Sequence, residues 1–441
     1  MKAQVIGLLA LLAIPAALLA QDGAQNGAQD GARPITLDEA VRLARQNAPA
    51  AVQARNQVRS TAAVVRTRYG AFLPTLSFGG GAQMQNGTRY LVDLDTILPN
   101  DAPWRANHSL SSTLDLFSGG RRYFDLQTAR ANVDAAEATE ISQNFAVARD
   151  VKQQYFAVLA AREQQTAARV QLEQAQQQLR AAVARVAAGA ATRSDSLRSI
   201  IQVGNARLAA LTADNALASA NASLSRLVGS TAVVTAVTSD TAEVATIALS
   251  ERELFDLIAR GPTVQQSQSQ LAAAQQGKRS ALSPYLPTLS LSLSESFASS
   301  ESGFGFLGDN RNKNLATSLR LSFPIFNGLG REQQVVNSRI AEENAEALLR
   351  DVRLNARQQL VQQLGNFRTA EARADIQRQS VLAGEEDLRV QQERYNLGAG
   401  TLLDLITSQS TLITARQALI QARLDARTAK AQIEALIGRD L

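Results

Sequence analysis

The chain has 441 residues, with 45 Lys and Arg against 40 Asp and Glu, a net charge of +5 with its single histidine neutral. It has no cysteine, which excludes disulfides and thiolate chemistry, and one histidine cannot build a histidine-rich metal site. Basic and acidic residues are interleaved, a pattern typical of solvated helix faces, so no nucleic-acid partner is expected. Abundant alanine and glutamine, with only 5% aromatic residues, favour long helices packed through small side chains.

The N-terminal segment is typical of a secretory signal. Residues 5–19 are almost entirely apolar but too short to span a bilayer, which predicts a signal peptide over residues 1–20. An uncleaved anchor is the alternative. Residues 21–34, rich in glycine, alanine and glutamine, are predicted to form a flexible linker. No later stretch is apolar enough for a membrane helix, so any membrane insertion of the mature chain has to be by strands.

The remainder of the chain is duplicated. Five short motifs occur twice in the same order, with shifts of 209 to 213 residues. The matched segments are 71–77 with 284–290, 116–119 with 325–328, 185–189 with 394–398, 192–195 with 401–404, and 227–229 with 436–438. Five ordered matches predict two repeats, 35–229 and 248–441, joined by an irregular or β connector over 230–247.

Each repeat is predicted to run helix, strand, strand, long helix, short helix. Capping boxes at Thr36 and Ser250 begin the first helices, and prolines end these helices before the strands. The strands, about 75–117 and 288–324, alternate apolar and polar residues over runs of about ten residues, the length of a tilted membrane strand. Polar loops are expected within each hairpin. A half-buried sheet of a soluble protein shows the same alternation and is the alternative.

The helices are predicted to have two lengths. The long helices cover 121–187 and 329–396, and each spans about 100 Å at 1.5 Å per residue. The shorter helices are predicted over 36–70, 194–228, 251–281 and 402–437. Two short helices end to end match one long helix, so each repeat is expected to form two helical columns side by side, with a β-hairpin at one end.

The last helix of each repeat carries an apolar seam with alternating spacings of three and four residues. The seam runs from Leu405 to Leu436, and its counterpart runs from Ser199 to Leu227. A second stripe lies beside the later seam and consists of Ile406, Ile413 and Ile420. Two stripes allow a helix to pack against neighbours on both sides, as in a curved palisade, whereas an ordinary two-stranded coiled coil needs only one.

Two hairpins give four strands per chain, which are too few to close a barrel. The smallest bacterial barrels have eight strands, and an open sheet edge is not tolerated in lipid. We therefore expect the chain to oligomerise. Three copies would give twelve strands and a hollow interior, although strand arithmetic alone leaves the number of copies open.

The helix tips resemble those of the TolC-like outer-membrane efflux protein family. The resemblance lies in residues 394–404 and their echo over 185–195, and in the strand entries and exits of both repeats. It implies a mainly α fold with a membrane β-barrel, in which a homotrimer forms a twelve-stranded barrel in outer-membrane lipid above a twelve-helix periplasmic α-barrel. It implies no enzymatic activity and no cofactor. It further implies an exit duct for tripartite efflux or type I secretion, joined to a periplasmic adaptor and an inner-membrane transporter.

The resemblance also implies roles at matching tip positions. Asp404 matches an aspartate ring that lines the periplasmic aperture, and Thr407 stands where the family has a second aspartate. Tyr395 and Asp195 match gate-closing partners, whereas Gly400 stands where the family has an arginine. The residues expected to meet the adaptor are Gly189, Thr192, Gly398, Thr401 and Leu405.

Physical reasoning about the aspartates leaves an alternative open. Three Asp404 carboxylates near a threefold axis would repel one another, which predicts a raised pKa and a preference for cations. Helix capping after a glycine turn is the alternative role for Asp404 and for Asp195. For the whole chain, the alternative function is a soluble periplasmic coiled-coil adaptor or scaffold protein, which would lack lipid-facing strands.

Overall fold

The computed structural model describes residues 32–84, 87–91, 95–99, 104–237, 247–301 and 311–441. The predicted signal peptide, residues 1–20, and linker residues 21–31 lie outside the described residues. The helices are α1 Leu37–Asn47, α2 Pro49–Gly70, α3 Arg121–Ala187, α4 Arg193–Val228, α5 Glu251–Ile258, α6 Pro262–Ala281, α7 Gly330–Asn396 and α8 Leu402–Ile437. The strands are β1 Arg33–Ile35, β2 Thr75–Met84, β3 Thr88–Leu91, β4 Thr96–Pro99, β5 Trp104–Ser118, β6 Val234–Ala236, β7 Thr288–Glu301 and β8 Arg311–Ser322.

The two long helices lie where the sequence predicts them. Helix α3 has the predicted bounds, and α7 begins one residue later than predicted, so both contain 67 residues. A residue with positive φ comes directly before each helix: Gly120 before α3 and Leu329 before α7. The mainly helical fold is therefore confirmed. No helix in the described ranges is both long and apolar enough to cross a membrane.

The first helix of each repeat is divided in two, which corrects the prediction of single helices. Helix α1 ends before Pro49, and α5 ends shortly before Pro262. Proline lacks the N–H that a helix interior requires but fits the first helical position, so each proline begins a new helix. The capping box at Ser250 is complete, whereas at Thr36 only half of it forms because Glu39 accepts a hydrogen bond from Arg33 instead.

Strands β2, β5, β7 and β8 form one antiparallel sheet in that order. The register brings the apolar positions of all four strands onto one face, and the serine-rich positions onto the other. Seven large apolar side chains of this face are 41 to 73% exposed: Leu76, Phe78, Leu110, Leu293, Leu315, Leu319 and Leu321. The predicted alternation is thus confirmed, and its apolar face has no protein layer over it in the described chain.

Two details of the hairpins differ from the prediction. Leu116 does not continue the alternation of β5, because a β-bulge between Asp115 and Phe117 leaves it unpaired. The segment between β2 and β5, expected to be a polar loop, contains the short antiparallel pair of β3 and β4. Residues 302–310, between β7 and β8, lie outside the described residues.

Among the described residues the helices form a single layer with two edges. Towards the tips the order of contacting helices is α4, α3, α8, α7, and towards the sheet it is α2, α3, α6, α7. Helix α8 therefore has neighbours on both sides, as its two stripes predict, and Leu405, Leu412 and Ile420 are buried. Helices α4 and α7 form the edges of the layer, on the same sides of the molecule as the edge strands β2 and β8.

Two apolar cores lie near the middle of the long helices. The first includes Tyr155, whose hydroxyl bonds the carbonyl of Ile35 and the N–H of Val237 at 3.1 Å each. These bonds join β1 to β6, which pair in parallel. Arg33 and Pro34, predicted to belong to the linker, therefore form strand, and the described part of the connector contains β6. The second core joins α5, α7 and α8.

Candidate functional site at the helix tips

The tip of each repeat is a tight turn between a long helix and its shorter partner. Gly189 and Gly398 adopt φ of +71° and +75°, which glycine tolerates without the strain of a side chain. In the first tip the N–H of Ala190 bonds the carbonyl of Arg185 at 2.8 Å, and in the second the N–H of Ala399 bonds that of Arg394 at 2.9 Å. The two turns thus have the same backbone geometry, in agreement with the sequence repeat.

Both tip aspartates are engaged in capping boxes. Asp195 Oδ2 accepts hydrogen bonds from the N–H and hydroxyl of Thr192 at 3.1 and 2.8 Å. Asp404 Oδ2 accepts the same pair from Thr401 at 3.2 and 2.8 Å. In return each threonine accepts the N–H of its aspartate. The capping role, left open by the sequence, is therefore present in both repeats.

Within one chain the surroundings of Asp404 favour its ionised form. Hydrogen bonds from the hydroxyl and N–H of Thr401 lower the pKa of Asp404, burial opposes them, and the charge of Arg394 adds the smallest effect, also a lowering. This direction is opposite to the raised pKa expected from like charges around a threefold axis. The carboxylate is exposed at the tip, so it carries a full negative charge at neutral pH.

Tyr395 contacts the first repeat, but not through Asp195. The Arg185 guanidinium donates to the carbonyls of Tyr395 and Asn396 at 3.0 and 2.9 Å, and lies 4.5 Å from the centre of the Tyr395 ring. Asp195 instead bonds Thr192. Within the described chain the expected pair of Tyr395 and Asp195 is therefore not formed, and Arg185 links the two tips.

Three other predicted site residues have local roles. The Thr407 hydroxyl bonds the carbonyl of Leu403 in its own helix at 2.9 Å and supplies no charge. A Cβ at Gly400 would lie 3.2 Å from Cβ of Arg394, so the absent side chain lets this turn close tightly. Leu405 is fully buried in the described chain, and its contact with an adaptor stays a prediction. The other four expected contacts, Gly189, Thr192, Gly398 and Thr401, are exposed.

A cleft of mixed apolar and polar lining lies above the tips on one face of α3. It has a volume of about 730 Å³ and runs between α4 and α8. Its polar lining is mainly amide side chains: Gln164, Gln171, Gln174, Gln202, Asn205, Gln409, Gln417 and Gln421. Amides present both donors and acceptors, so the cleft offers uncharged hydrogen-bonding groups beside Arg416, which pairs with Glu385.

The fold and the duplicated tips define an outer-membrane channel protein rather than an enzyme. A family model described as "Outer membrane efflux protein" matches residues 40–230 and 254–439, the same two repeats that the sequence predicts. The chain belongs to this family, which confirms the resemblance and the outer-membrane location, and makes it an exit duct of efflux or secretion systems.

Two relatives match over most of their length. Protein CyaE of Bordetella pertussis is 27% identical over 394 residues, which cover 87% of this chain and 80% of that protein. The pyoverdine export outer membrane protein OpmQ of Pseudomonas aeruginosa is 26% identical over 408 residues, 89% of this chain and 81% of that protein. A crystal structure of CusC superposes with a TM-score of 0.78 at 18% identity, covering 95% of this chain and 96% of that one, which shows a shared fold.

Proposed function

We propose that the chain acts as a homotrimer, an outer-membrane duct that a periplasmic adaptor opens at its helical tips and connects to an inner-membrane transporter. Three copies would contribute twelve strands and twelve helical columns. The duct itself carries out no reaction. Its cargo would be supplied by a tripartite efflux or type I secretion system.

The unfinished sheet is the observation that carries this proposal. Strands β2 and β8 each have one strand partner among the described residues, and the apolar face of the sheet is exposed. An apolar face of this extent is unfavourable in water, and unpaired strand edges are unfavourable in lipid. Pairing β8 of one copy with β2 of the next would remove both edges, and lipid would cover the apolar face.

The free edges of the helix layer support the same ring. Leu197 and Leu211 on α4 are 52 and 59% exposed, and Ile376 on α7 is 59% exposed. By the 209-residue shift, Leu211 and Ile376 correspond to Ile420 and Ala167, which line one cleft between α8 and α3. Contact of α4 with α7 of the next copy would bury Leu211 and Ile376, just as contact of α8 with α3 within the chain buries Ile420.

The tips supply the proposed aperture. Asp404 is exposed and ionised, so three copies would form a ring of negative charge that favours cations. The exposed tip residues and the amide-lined cleft above them offer an adaptor hydrogen-bonding groups at one end of the helix layer. Repacking of the tips when the adaptor binds would widen the ring.

Fractionation and reconstitution test the proposal. We expect the protein in the outer-membrane fraction, as an oligomer of three chains by native mass in detergent and with heat-sensitive gel mobility. In planar bilayers Asp404→Ala should raise conductance and lower cation preference. Asp404→Asn, which keeps a hydrogen-bond acceptor for Thr401, should lower cation preference with less effect on conductance.

Asp195→Asn is the matched control, because it alters the equivalent capping box of the first repeat. It is expected to change cation preference less than Asp404→Asn. Unchanged conductance and selectivity in both Asp404 variants would contradict the aperture assignment. A monomer that is soluble in plain buffer would contradict the duct itself.

A further inference from the structure

Arg185 joins the ends of two long helices within one chain. Arg185 lies in the last turn of α3, and its guanidinium donates hydrogen bonds to the carbonyls of Tyr395 and Asn396 in the last turn of α7. Carbonyls of a last helical turn lack partners inside the helix and carry the negative end of its dipole. A planar guanidinium with several N–H groups fits two such carbonyls at once, which a lysine cannot do.

Arg394 holds the same position in the second repeat, but among the described residues it bonds only Gln391 and Ala399 of its own hairpin. It is exposed, and its guanidinium has contacts of 3.4 and 3.5 Å with Ala399 and Gln391 of its own hairpin. Such distances are long for hydrogen bonds. By the 209-residue shift, its acceptors should be the carbonyls of Val186 and Ala187, at the end of α3.

The order of helices shows where those carbonyls would come from. Arg185 reaches from α3 to α7, and α8 lies between these helices. In a ring of copies, α7 would be followed by α4 and α3 of the next chain, so the same step would carry Arg394 to the next copy's α3. The Val186 carbonyl already accepts the N–H of Gly189 at 3.0 Å, as the Tyr395 carbonyl accepts that of Gly398 at 3.2 Å. The Tyr395 carbonyl accepts two donors, so the Val186 carbonyl, in the same geometry, has room for a second donor.

We infer that Arg394 of one protomer bonds the carbonyls of Val186 and Ala187 of the next, so that arginines join all the tips into one ring. The inference rests on the proposed trimer. Contacts within a chain, made by Arg185, would alternate around the ring with contacts between chains, made by Arg394. Val186 stands where the first contact has the Tyr395 ring, so the contact between chains lacks an aromatic face and is the weaker of the two. The joints between chains are therefore the ones that separate first when the tips widen.

Cross-linking tests the contact directly, since the chain has no cysteine of its own. Arg394→Cys combined with Ala187→Cys is treated with a short bismaleimide in the purified detergent complex. We expect covalent dimers and trimers on denaturing gels. Arg185→Cys with Asn396→Cys, the same step within one chain, should react but keep the mass of one chain. Arg394→Cys with Ala218→Cys, far along α4, should give no cross-link.

The outcomes separate this inference from the proposed function. A trimer by native mass without cross-links between chains at 394 and 187 would overturn the contact and leave the duct intact. A monomer by native mass would overturn both. The mass is measured before the reagent is added, so the two failures are distinct.

Channel recordings provide a second test that does not depend on cysteine variants. Arg394→Lys keeps the positive charge near Asp404 but loses the two-pronged geometry, so we expect higher conductance with unchanged ion preference. Arg389→Ala is the control, because Arg389 bonds Glu386 and Glu393 of its own helix. It should leave conductance unchanged. Wild-type conductance of Arg394→Lys and Arg394→Ala would contradict the proposed contact.

Discussion

Helices α4 and α8 hold the same place in the two repeats, but only α8 has neighbours on both sides. Ile420 of α8 is 9% exposed, whereas its counterpart on α4, Leu211, is 59% exposed. Both positions carry large aliphatic side chains, so the difference comes from surroundings and not from composition. The comparison identifies the outer side of α4 as a surface that lacks a neighbouring helix among the residues that the structure describes.

The comparison extends to the middle of the long helices. Lys152 of α3 pairs with Glu434 of α8 and with Asp440, at 2.7 Å each. The counterparts of Lys152 and Glu434 are Val361, which is 57% exposed, and Ser225. The joint between repeats inside the chain is thus ionic, whereas Val361 is an exposed apolar side chain on α7 and Ser225 is buried within the first repeat. A contact between chains at this height would therefore lack the ion pair that Lys152 and Glu434 form within the chain.

The largest expected effect is on assembly. Leu197→Asp combined with Leu211→Asp places two charges on the free edge of α4, where burial against a second copy would leave them unpaired. We expect complete loss of the trimer by native mass in detergent. Asn215→Asp adds a charge to an exposed position of the same helix and should leave the trimer intact. An intact trimer in the double variant would show that this edge is not an interface.

The ionic joint should come next in magnitude. Lys152→Met leaves the buried Glu434 carboxylate without its partner, which costs about 3–5 kcal/mol for a buried pair. We expect a lower temperature of unfolding in detergent, measured by circular dichroism. Val361→Met, at the equivalent position of the other long helix, should change it little. Equal losses in the two variants would contradict the comparison.

The same joint predicts a pH dependence. Burial opposes the charge of Lys152, but hydrogen bonds to Asp440 and Glu434 outweigh it and raise the pKa of Lys152. The hydrogen bond from Lys152 lowers the pKa of Asp440. The lysine contribution is therefore complete below its ordinary pKa of about 10.4 and is lost as pH rises through the raised value. The Asp440 contribution is complete above about 3.9 and is lost as pH falls through the lowered value.

Between these limits the stability difference between wild type and Lys152→Met should be constant. Thermal unfolding of both proteins across this range checks the prediction. If the stability difference between wild type and Lys152→Met vanished near neutral pH, the ion pair would not stabilise the folded chain.

A smaller effect is expected at a buried seam position. Leu405 is fully buried, so Leu405→Ala should destabilise by about 2–5 kcal/mol, depending on how far the cavity collapses. Its counterpart on α4 is Ser196, which is half-buried. Ser196→Ala should change the free energy of unfolding by less than about 0.5 kcal/mol. Denaturant unfolding in detergent measures both, and similar losses would contradict the unequal burial of the two tips.

The smallest effect should be equal in the two repeats. Thr192→Ala and Thr401→Ala each remove the same N-cap, at a cost of about 1 kcal/mol. We expect amide exchange in the first turns of α4 and α8 to accelerate by a similar factor. Thr407→Ala, which loses only a bond to its own helix, is the control. A much larger response at one tip would show that the two caps differ in strength.

Much of the fold could be predicted because its signals are local. Glycine turns punctuate the long helices, and the duplicated Gly-x-x-Thr-x-x-Asp pattern identifies both tips. The prediction of single helices across Pro49 and Pro262 is wrong because proline at a first helical position begins another helix. The bulge at Leu116 cannot be read from alternation, since one inserted residue is invisible without the partner strand.

The candidate site was predicted less completely, because its main contact is not local. Arg185 and Tyr395 are 210 residues apart, and only their common position in the repeats could suggest a pair. Leu405 is fully buried in the described chain although it lies in the first turn after the tip, and spacing along the sequence does not indicate that burial. The capping boxes of Asp195 and Asp404 follow from spacing alone and were weighed correctly as an alternative.

The equal lengths of α3 and α7 restrict how this protein can change in evolution. An insertion in α3 or α7 alone would put the two tip turns at different heights. The hydrogen bonds from Arg185 to Tyr395 and Asn396 would then be lost. The two tips stay at the same height only if insertions of matching length occur in both long helices and in the shorter helices that pack beside them. The distance that the protein covers below the membrane is therefore encoded twice, and it can lengthen or shorten only by coordinated changes.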